Sequence, residues 1–396
     1  MSFNSVNTNS NAMAALQSLR SAQSTTLDAS KRLQTGYRVA DASDDAGVFA
    51  VAQQIRADVG GWDVVAAAQA RGLGATHVAL EGLETISGLL NDLNRKVLEY
   101  GDSKTNFTTT ILSNEISAIL DQIDQVANAA RFDGVTPLNS ASGELNVGAT
   151  APGPLFGTHT FSAVSPFQVQ HTSIAGIPPG QPGIVAVEYQ HAGVPDIFAI
   201  AYRGAVVGVS GLAAGSGTLA FQWDGGPPYT IEIIAGIGVA STATYNAAHD
   251  AGGVLMTPPA APIQFLRDPQ GGSEELRSVN ATSAGIGLGA VEPLPAPPGP
   301  FTDILNTIAF ARSVVGQNMS YFANKAKTFE ATREMARTTM DSYTKGIGAT
   351  VDADIGRDQA RIEASKAREQ LALQGTSVAN RSQQAILGLL DGLGRR

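Results

Sequence analysis

Histidine is the first side chain to test for chemistry, because metal sites and acid–base pairs often use it. His159, His171, His191 and His249 all fall in the middle of the chain. None of them forms the His-Glu-x-x-His pattern that places two zinc ligands on one helix face. We interpret them as scattered surface residues. With no cysteine in the chain, thiolate chemistry is excluded, and the sequence predicts no catalytic residue, cofactor or metal.

Three further motifs have a chemical and a plainer interpretation. The glycine-rich run from Gly208 to Gly217 is not followed by the Gly-Lys-Ser/Thr of a phosphate loop, so turn glycines explain it. Asp41, Asp44 and Asp45 lack the glutamate that closes an EF-hand loop, which favours helix capping near a turn over calcium binding. Phe221, Trp223 and Tyr229 beside Asp224-Gly225-Gly226 are either a sugar-stacking surface or part of a core, and we favour the core.

Composition limits the classes of protein that fit. The chain has 396 residues, 43% of them hydrophobic, and a formal net charge of −9. This is enough apolar material for a large core, and the acidic balance makes nucleic acids and anionic membranes poor partners. No apolar run reaches the roughly 18 residues of a membrane span. The polar start at Met1 to Asn4 predicts that no cleavable secretory signal is present.

Proline divides the chain, since 18 of its 19 prolines lie between Pro152 and Pro300. Proline costs about 3 kcal/mol inside a helix, so the two proline-free flanks are predicted to be helical. The middle is predicted to be an inserted β domain that ends at the proline-rich stretch 292–300. Its predicted strands are Ile184 to Tyr189, Ile197 to Tyr202, Leu219 to Trp223 and Tyr229 to Ile234.

Apolar residues in the flanks repeat every three and four positions, which predicts three long helices that share a coiled-coil core. Two of the helices form a hairpin whose turn lies at Gly101 to Thr110, and the third comes from the other flank, so the core is discontinuous. The predicted rod core comprises Leu83, Ile86, Leu90, Leu93, Val97, Ile116, Ile119, Ile123, Val126, Met319, Phe322, Phe329, Met340 and Tyr343.

The outermost segments are amphipathic but have seams broken by polar residues. Such helices are marginal alone and gain stability by burying their apolar face against a partner. We therefore predict an interface between copies of the chain that comprises Leu16, Leu19, Leu27, Leu33, Ile355, Ile362, Leu371, Val378, Ile386, Leu389 and Leu390.

Both ends of the chain resemble the bacterial flagellins. Near the start, Val6-Asn7-Thr8-Asn9, Arg32-Leu33-Gln34-Thr35-Gly36 and Asp44-Asp45-Ala46-Gly47 are similar to that family's Asn-Thr-Asn, Arg-Leu-Ser-Ser-Gly and Asp-Asp-Ala-Ala-Gly. Ser377-Val378-Ala379-Asn380 and Ile386-Leu387-Gly388-Leu389-Leu390 resemble its closing helix. The resemblance covers about 1–140 and 305–390, and the inserted part matches no family that we can name.

The resemblance implies a mainly α fold with an inserted β domain, in a non-enzymatic subunit that polymerises into the extracellular flagellar filament used for swimming. It implies an inner domain from 1–45 and 351–396, a coiled-coil rod from 46–144 and 301–350, and an outer, solvent-facing domain from 145–300. It also implies type III export, an export chaperone on the C-terminal helix, and contacts with hook-associated junction and cap proteins.

Two departures from the family and two alternatives accompany this prediction. Phe49 stands where the family usually has small residues. Of the segment Asn94 to Glu99, only Arg95 matches the family's Gln-Arg-Val-Arg-Glu-Leu, so we expect weak recognition by the innate-immune receptor. A hook–filament junction protein has similar ends. An adhesin or carbohydrate-binding module displayed on the filament is the other alternative.

Overall fold

A computed structural model gives the fold of the chain. The described residues are 9–103, 105–140, 155–162, 168–174, 183–210, 213–223, 231–237, 242–251, 262–291, 294 and 301–393. Within them the α-helices are α1 (Ser10–Thr35), α2 (Ala46–Gly101), α3 (Asn106–Ala129), α4 (Thr302–Val351) and α5 (Ile355–Leu393). The strands are β1 (Leu155–Ser162), β2 (Gln168–Ile174), β3 (Gly183–Tyr202), β4 (Ala205–Val209), β5 (Ala213–Trp223), β6 (Ile231–Ile237), β7 (Thr242–Ala251), β8 (Ile263–Leu266) and β9 (Ser273–Leu276).

Side chains at the helix ends explain where several of the helices begin and end. The Oδ1 atom of Asn9 accepts a hydrogen bond from the backbone N–H of Ala12 at 2.9 Å and caps the start of α1. Gly36 follows the last residue of α1 with φ at 73°, a left-handed conformation that glycine adopts without strain. Thr105 caps α3 in the same manner as Asn9 caps α1, through the N–H of Thr108.

The compact units of the chain are two, residues 1–63 with 337–396 and residues 64–336. The boundaries predicted at residues 45 and 350 fall close to the start of α2 and the end of α4. They therefore mark helix ends, whereas the compact units divide inside these two helices. The predicted domain limits remain a prediction about the assembled protein.

The second unit has a helical core of the predicted kind. Leu83, Ile86, Leu90, Leu93 and Val97 are fully buried along one face of α2. They belong to a cluster that includes side chains from α3 and α4. Their three- and four-residue spacing keeps a single face of α2 in this cluster over four turns.

Strand β3 links the helical core to the β structure. Its first half pairs with β5 and β7, giving the order β1-β7-β3-β5, and its second half pairs with β6 and β4, giving the order β2-β6-β3-β4. All of these pairings are antiparallel. The two β segments predicted around Gly193 and Pro195 are thus one strand, and a register shift between His191 and Asp196 absorbs the turn-like residues.

The two faces of the second half of β3 contribute to different cores, because successive residues of a strand point to opposite sides. Phe198, Ile200 and Tyr202 pack in the core between the two groups of strands. Ile197 and Ala199 belong to the same cluster as the helices. The β region therefore shares a core with the helices, which the prediction of a separate inserted domain did not include. The predicted mainly α fold, with helical ends and central strands, is confirmed.

Candidate assembly interface

Helices α1 and α5 form an antiparallel pair. Three polar contacts mark their register along the pair. The Nδ2 atom of Asn9 lies 3.3 Å from the carbonyl oxygen of Ala379, Gln23 Nε2 lies 3.3 Å from Glu369 Oε1, and Arg32 Nη1 lies 4.0 Å from Asp358 Oδ1. Because the numbers rise along α1 as they fall along α5, the two ends of the chain run side by side in opposite directions.

Small side chains line the seam between these two helices. On α1 the buried residues are Ala12, Ala22 and Ala29. On α5, buried residues recur every seven positions, and they are Asp358, Ser365, Ala372 and Ala379. Small residues at the contact allow helix axes to approach closely. The pair is therefore joined by close approach along an alanine-rich seam, and larger apolar side chains are left outside it.

A short bridge and an apolar cluster hold the base of the pair. The backbone N–H of Ala353 donates to the carbonyl oxygen of Gly36 at 2.9 Å, and that of Arg38 donates to Val351 at 2.6 Å. Beside this bridge, Val351 is buried with Val39 and Ala52. Phe49 packs against this cluster, so the bulky residue that departs from the family pattern has a structural role here.

An ion-paired turn follows α1. Lys31 Nζ lies 2.8 Å from a carboxylate oxygen of Asp41 and 2.8 Å from one of Asp44. Hydrogen bonds from Lys31 and Ser43 hold the pKa of Asp41 far below its usual range, and the bond from Lys31 also lowers the pKa of Asp44. The Oδ1 atom of Asp45 accepts from the N–H of Val48 at 3.0 Å. The capping interpretation is therefore confirmed at Asp45.

Most of the residues predicted for the interface between copies lie exposed on this helix pair. Leu27 keeps 70% of its surface accessible, and Leu371 and Val378 keep 66% each. Leu16, Leu33 and Ile355 are also exposed, whereas Leu19 and Ile362 are half-buried. The side chains of Ile386, Leu389 and Leu390 lie outside the described residues, although the α5 backbone includes them.

The residues predicted for the rod core separate into two groups. Leu83, Ile86, Leu90, Leu93, Val97, Ile116, Ile123, Phe322 and Phe329 are fully buried, and Ile119, Val126 and Met319 are partly buried against them. Met340 and Tyr343 are half-buried and are not members of this cluster. The heptad pattern of α4 thus continues beyond the end of the cluster that it helps to form.

The chemistry set aside on sequence grounds can be compared with the structure at two sites. His191 is buried rather than on the surface, so that interpretation was wrong for this residue. Odd-numbered residues in the first half of β3 face the core, and the ring of His191 packs 4.7 Å from that of Tyr189. Burial raises the pKa of the neighbouring Tyr245, and the charge of Asp196 raises it further. The side chains of His159, His171 and His249 lie outside the described residues.

Phe221 is buried beside Tyr202, with ring centroids 5.3 Å apart. It is therefore a core residue, while residues 224–230 and the side chain of Trp223 lie outside the described part. Among the residues that the structure describes, no cluster of three or more His, Asp or Glu side chains could hold a metal ion. None of the helices in the same ranges has the length and hydropathy of a membrane span.

Sequence reasoning missed two groups of interface residues. The alanine seam was missed because the search followed large apolar residues, although the seven-residue spacing of Ser365, Ala372 and Ala379 is visible in the sequence. Met13 and Leu373 are also exposed large apolar residues of the pair. They stand one or two positions from residues that were predicted, at Ala12 and Leu371.

This geometry defines a class of protein: a structural subunit whose two chain ends join as a helix pair and leave a row of large apolar side chains exposed. Comparisons with known proteins then identify the family. Residues 6–142 match the model described as the bacterial flagellin N-terminal helical region. Similar proteins include flagellin FljK of Caulobacter vibrioides, 22% identical with 98% of this chain and 99% of that protein covered.

Flagellin A of Rhizobium meliloti is 26% identical, with 97% of this chain and 99% of that protein covered. A solved structure of Xanthomonas campestris FlgL covers 73% of this chain and 98% of its own, with 12% identity and a TM-score of 0.31. The sequence matches run through both helical ends and the centre. The chain is therefore a member of the bacterial flagellins.

Proposed function

We propose that this chain is a filament subunit that polymerises through the outer faces of α1 and α5 into the flagellar filament. One observation carries the proposal: the α1–α5 pair packs through alanines while Leu16, Leu27, Leu371 and Val378 stay exposed. Exposed apolar groups of this kind mark interaction sites. Burying one such side chain contributes roughly 1.5–3 kcal/mol, so several per subunit can hold a polymer together.

The chemistry of the contact favours a polymer without an end. A surface that meets a different surface on the next copy repeats indefinitely unless its rotation closes a ring. Such growth requires no catalysis by the subunit. The function in swimming is then mechanical, and it depends on how the copies pack.

Replacing exposed apolar residues tests this proposal. We expect Leu27→Ser together with Leu371→Ser to reduce elongation of filament seeds at least tenfold, since two apolar contacts per subunit are lost. Both residues are exposed in the free chain, so its helix content and melting temperature should hardly change. The matched control is Gln17→Ser with Gln374→Ser, on exposed polar positions of the same helices. Normal elongation by the leucine variant would contradict the proposal.

The proposed layers follow the helix ends. Residues 1–45 and 351–396 are proposed to form the inner layer of the filament, 46–144 and 301–350 the rod, and 145–300 the solvent-facing part. The burial of the α2 seam supports the rod assignment. Proteolysis of intact filaments provides a measurement, because cleavage should begin within 145–300 and spare the terminal helices.

Export and partners belong to the same proposal. The subunit is proposed to leave the cell through the flagellar type III apparatus, with a cytoplasmic chaperone on Val378 to Leu390 until export. The exposed Val378 supports this assignment, since an apolar face needs cover before assembly. Capture of a chaperone by the full chain, but not by a chain ending at residue 377, is the expected result. Junction and cap proteins are proposed to meet the same helices at the filament ends.

Recognition by the innate-immune receptor is proposed to be weak. Arg95 is exposed, but it pairs with Asp92 at 2.9 Å and lies 3.7 Å from Glu99. Lys96 pairs with Glu115 at 2.7 Å. These ion pairs occupy the charged groups on the relevant face of α2. A receptor reporter assay should need far more of this protein than of a flagellin with the full family motif, and equal potency would refute the proposal.

Two alternatives are separated from the filament subunit by simple results. A hook–filament junction protein would form a closed ring instead of elongating seeds. A carbohydrate-binding module would bind sugars without its terminal helices, but the burial of Phe221 removes one of the three rings on which that alternative was based. A glycan array with the whole chain would show no binding if the sugar alternative is wrong.

A further inference from the structure

The seam between α1 and α5 does not by itself determine how far one helix is displaced along the other. Ala15, Ala22 and Ala29 are seven residues apart on α1, and Ser365, Ala372 and Ala379 are seven apart on α5. A slip of one heptad would place small residues opposite small residues again. Packing therefore discriminates weakly between the two registers, as it does in coiled coils with uniform seams.

We propose that Arg32 and Asp358 select the register of this helix pair, a role that rests on the proposed function because the register decides which exposed apolar residues stand side by side. Asp358 is 4% exposed in the described structure. Its carboxylate lies 4.0 Å from Arg32 across the seam and 3.1 Å from Arg361. It is the charged residue in the series of buried α5 positions.

Only one of these two cations can report the register. Arg361 belongs to α5 and moves with Asp358 when the helices slide, so its attraction is the same in every register. Arg32 belongs to α1 and would be displaced by about 10 Å in a one-heptad slip. Losing one partner of a buried ion pair is strongly unfavourable, and a polar residue in an otherwise uniform seam is a known way to fix register.

Other features at the base hold the register without selecting it in the same way. The bonds between Gly36 and Ala353 and between Arg38 and Val351 join backbone atoms, which every residue possesses. Val39 adds apolar packing against Val351 and Ala52. A second explanation is that Asp358, in the first turn of α5, only stabilises the positive end of that helix. Changing Arg32 separates these explanations, because Asp358 then stays in place.

Engineered cysteines can measure the register, since the natural chain contains no cysteine. A Cβ atom at Gly375 would lie 3.9 Å from the Cβ atom of Ala15, within the range of about 3.5–4.5 Å that a disulfide needs. Ala15→Cys with Gly375→Cys therefore reports the observed register. Ala22→Cys with Gly375→Cys reports a one-heptad slip, because those positions are about 10 Å too far along the helix in the observed register.

The experiment oxidises the full-length monomer and quantifies both disulfides. With Arg32 and Asp358 intact, we expect only the first pair to close. Arg32→Met or Asp358→Asn should raise the yield of the slipped pair at least tenfold, with helix content preserved. Arg32→Lys and Asp358→Glu keep the charges and should leave the slipped pair open. Gln23→Ala with Glu369→Ala changes an exposed contact of the same seam and should do the same, as should Val39→Ala.

The outcomes separate this inference from the proposed function. If neither Arg32→Met nor Asp358→Asn allows the slipped disulfide to form, the inference is wrong whether or not the chain polymerises. If the slipped disulfide forms, closing the observed pair by Ala15→Cys with Gly375→Cys should restore seeded elongation to the Arg32→Met chain. A locked chain that elongates no better than the unlocked one would mean that register is selected here but does not matter for assembly.

Discussion

Gly74→Ala is expected to lower the free energy of unfolding by about 2 kcal/mol, although alanine is the better helix former. A Cβ atom at this position in α2 would lie 2.4 Å from Cζ of Phe132. Two backbone hydrogen bonds between Phe132 and Val135 hold the segment that carries this ring. Overpacking of this kind costs about 1–3 kcal/mol. The measurement is thermal or urea unfolding of the purified monomer.

Gly88 provides the matched control for Gly74 in the same helix. It is exposed, and a Cβ atom there would meet nothing within 4 Å. Gly88→Ala should therefore stabilise the chain by about 0.5–1 kcal/mol through helix propensity alone. A stabilising effect of both substitutions would show that Phe132 does not press on α2 as described.

Phe329→Ala is expected to have the larger effect, a loss of about 3–5 kcal/mol in the free energy of unfolding. Phe329 is fully buried in α4. Its ring meets Phe265 edge-to-face at 5.2 Å, and a Cβ atom on Gly72 would lie 2.8 Å from it. Removing the ring would leave a cavity between the helices and the β8–β9 pair, which neighbouring side chains could fill only in part.

Phe107→Ala is the control for this substitution, because Phe107 is 77% exposed at the start of α3. Surface substitutions of this type usually change stability by less than about 0.5 kcal/mol. Equal losses for the two phenylalanines would contradict the packing that the structure shows around Phe329. A near-neutral Phe329→Ala would mean that the site collapses around the missing ring.

The helical rod could be predicted because its signal is periodic and local. The series from Leu83 to Val97 repeats every three and four residues, and burial of one helix face requires that spacing. The same rule overestimated the length of the cluster, since Met340 and Tyr343 continue the pattern but are only half-buried. Periodicity reveals a face of a helix, but it does not reveal where the partner of that face ends.

Features that depend on distant contacts could not be predicted in the same way. Gly193 and Pro195 read as a turn, but pairing with other strands on both sides keeps β3 as one strand. Gly72 and Gly74 read as weak points in a helix, yet side chains from α4 and from the segment after α3 occupy the space beside them. The alanine seam of α1 and α5 has no large apolar residue to reveal it, and only the folded pair shows that small residues meet there.

Electron microscopy of seeded growth, with the intact chain and with a chain that lacks residues 377–396, tests the central claim most directly. The account predicts that the intact chain elongates filament fragments and that the truncated chain does not, since it lacks Val378 and the end of α5. Equal elongation by both chains would contradict assembly through the terminal helices. An intact chain that closes into small rings would contradict open-ended growth and identify a junction protein instead.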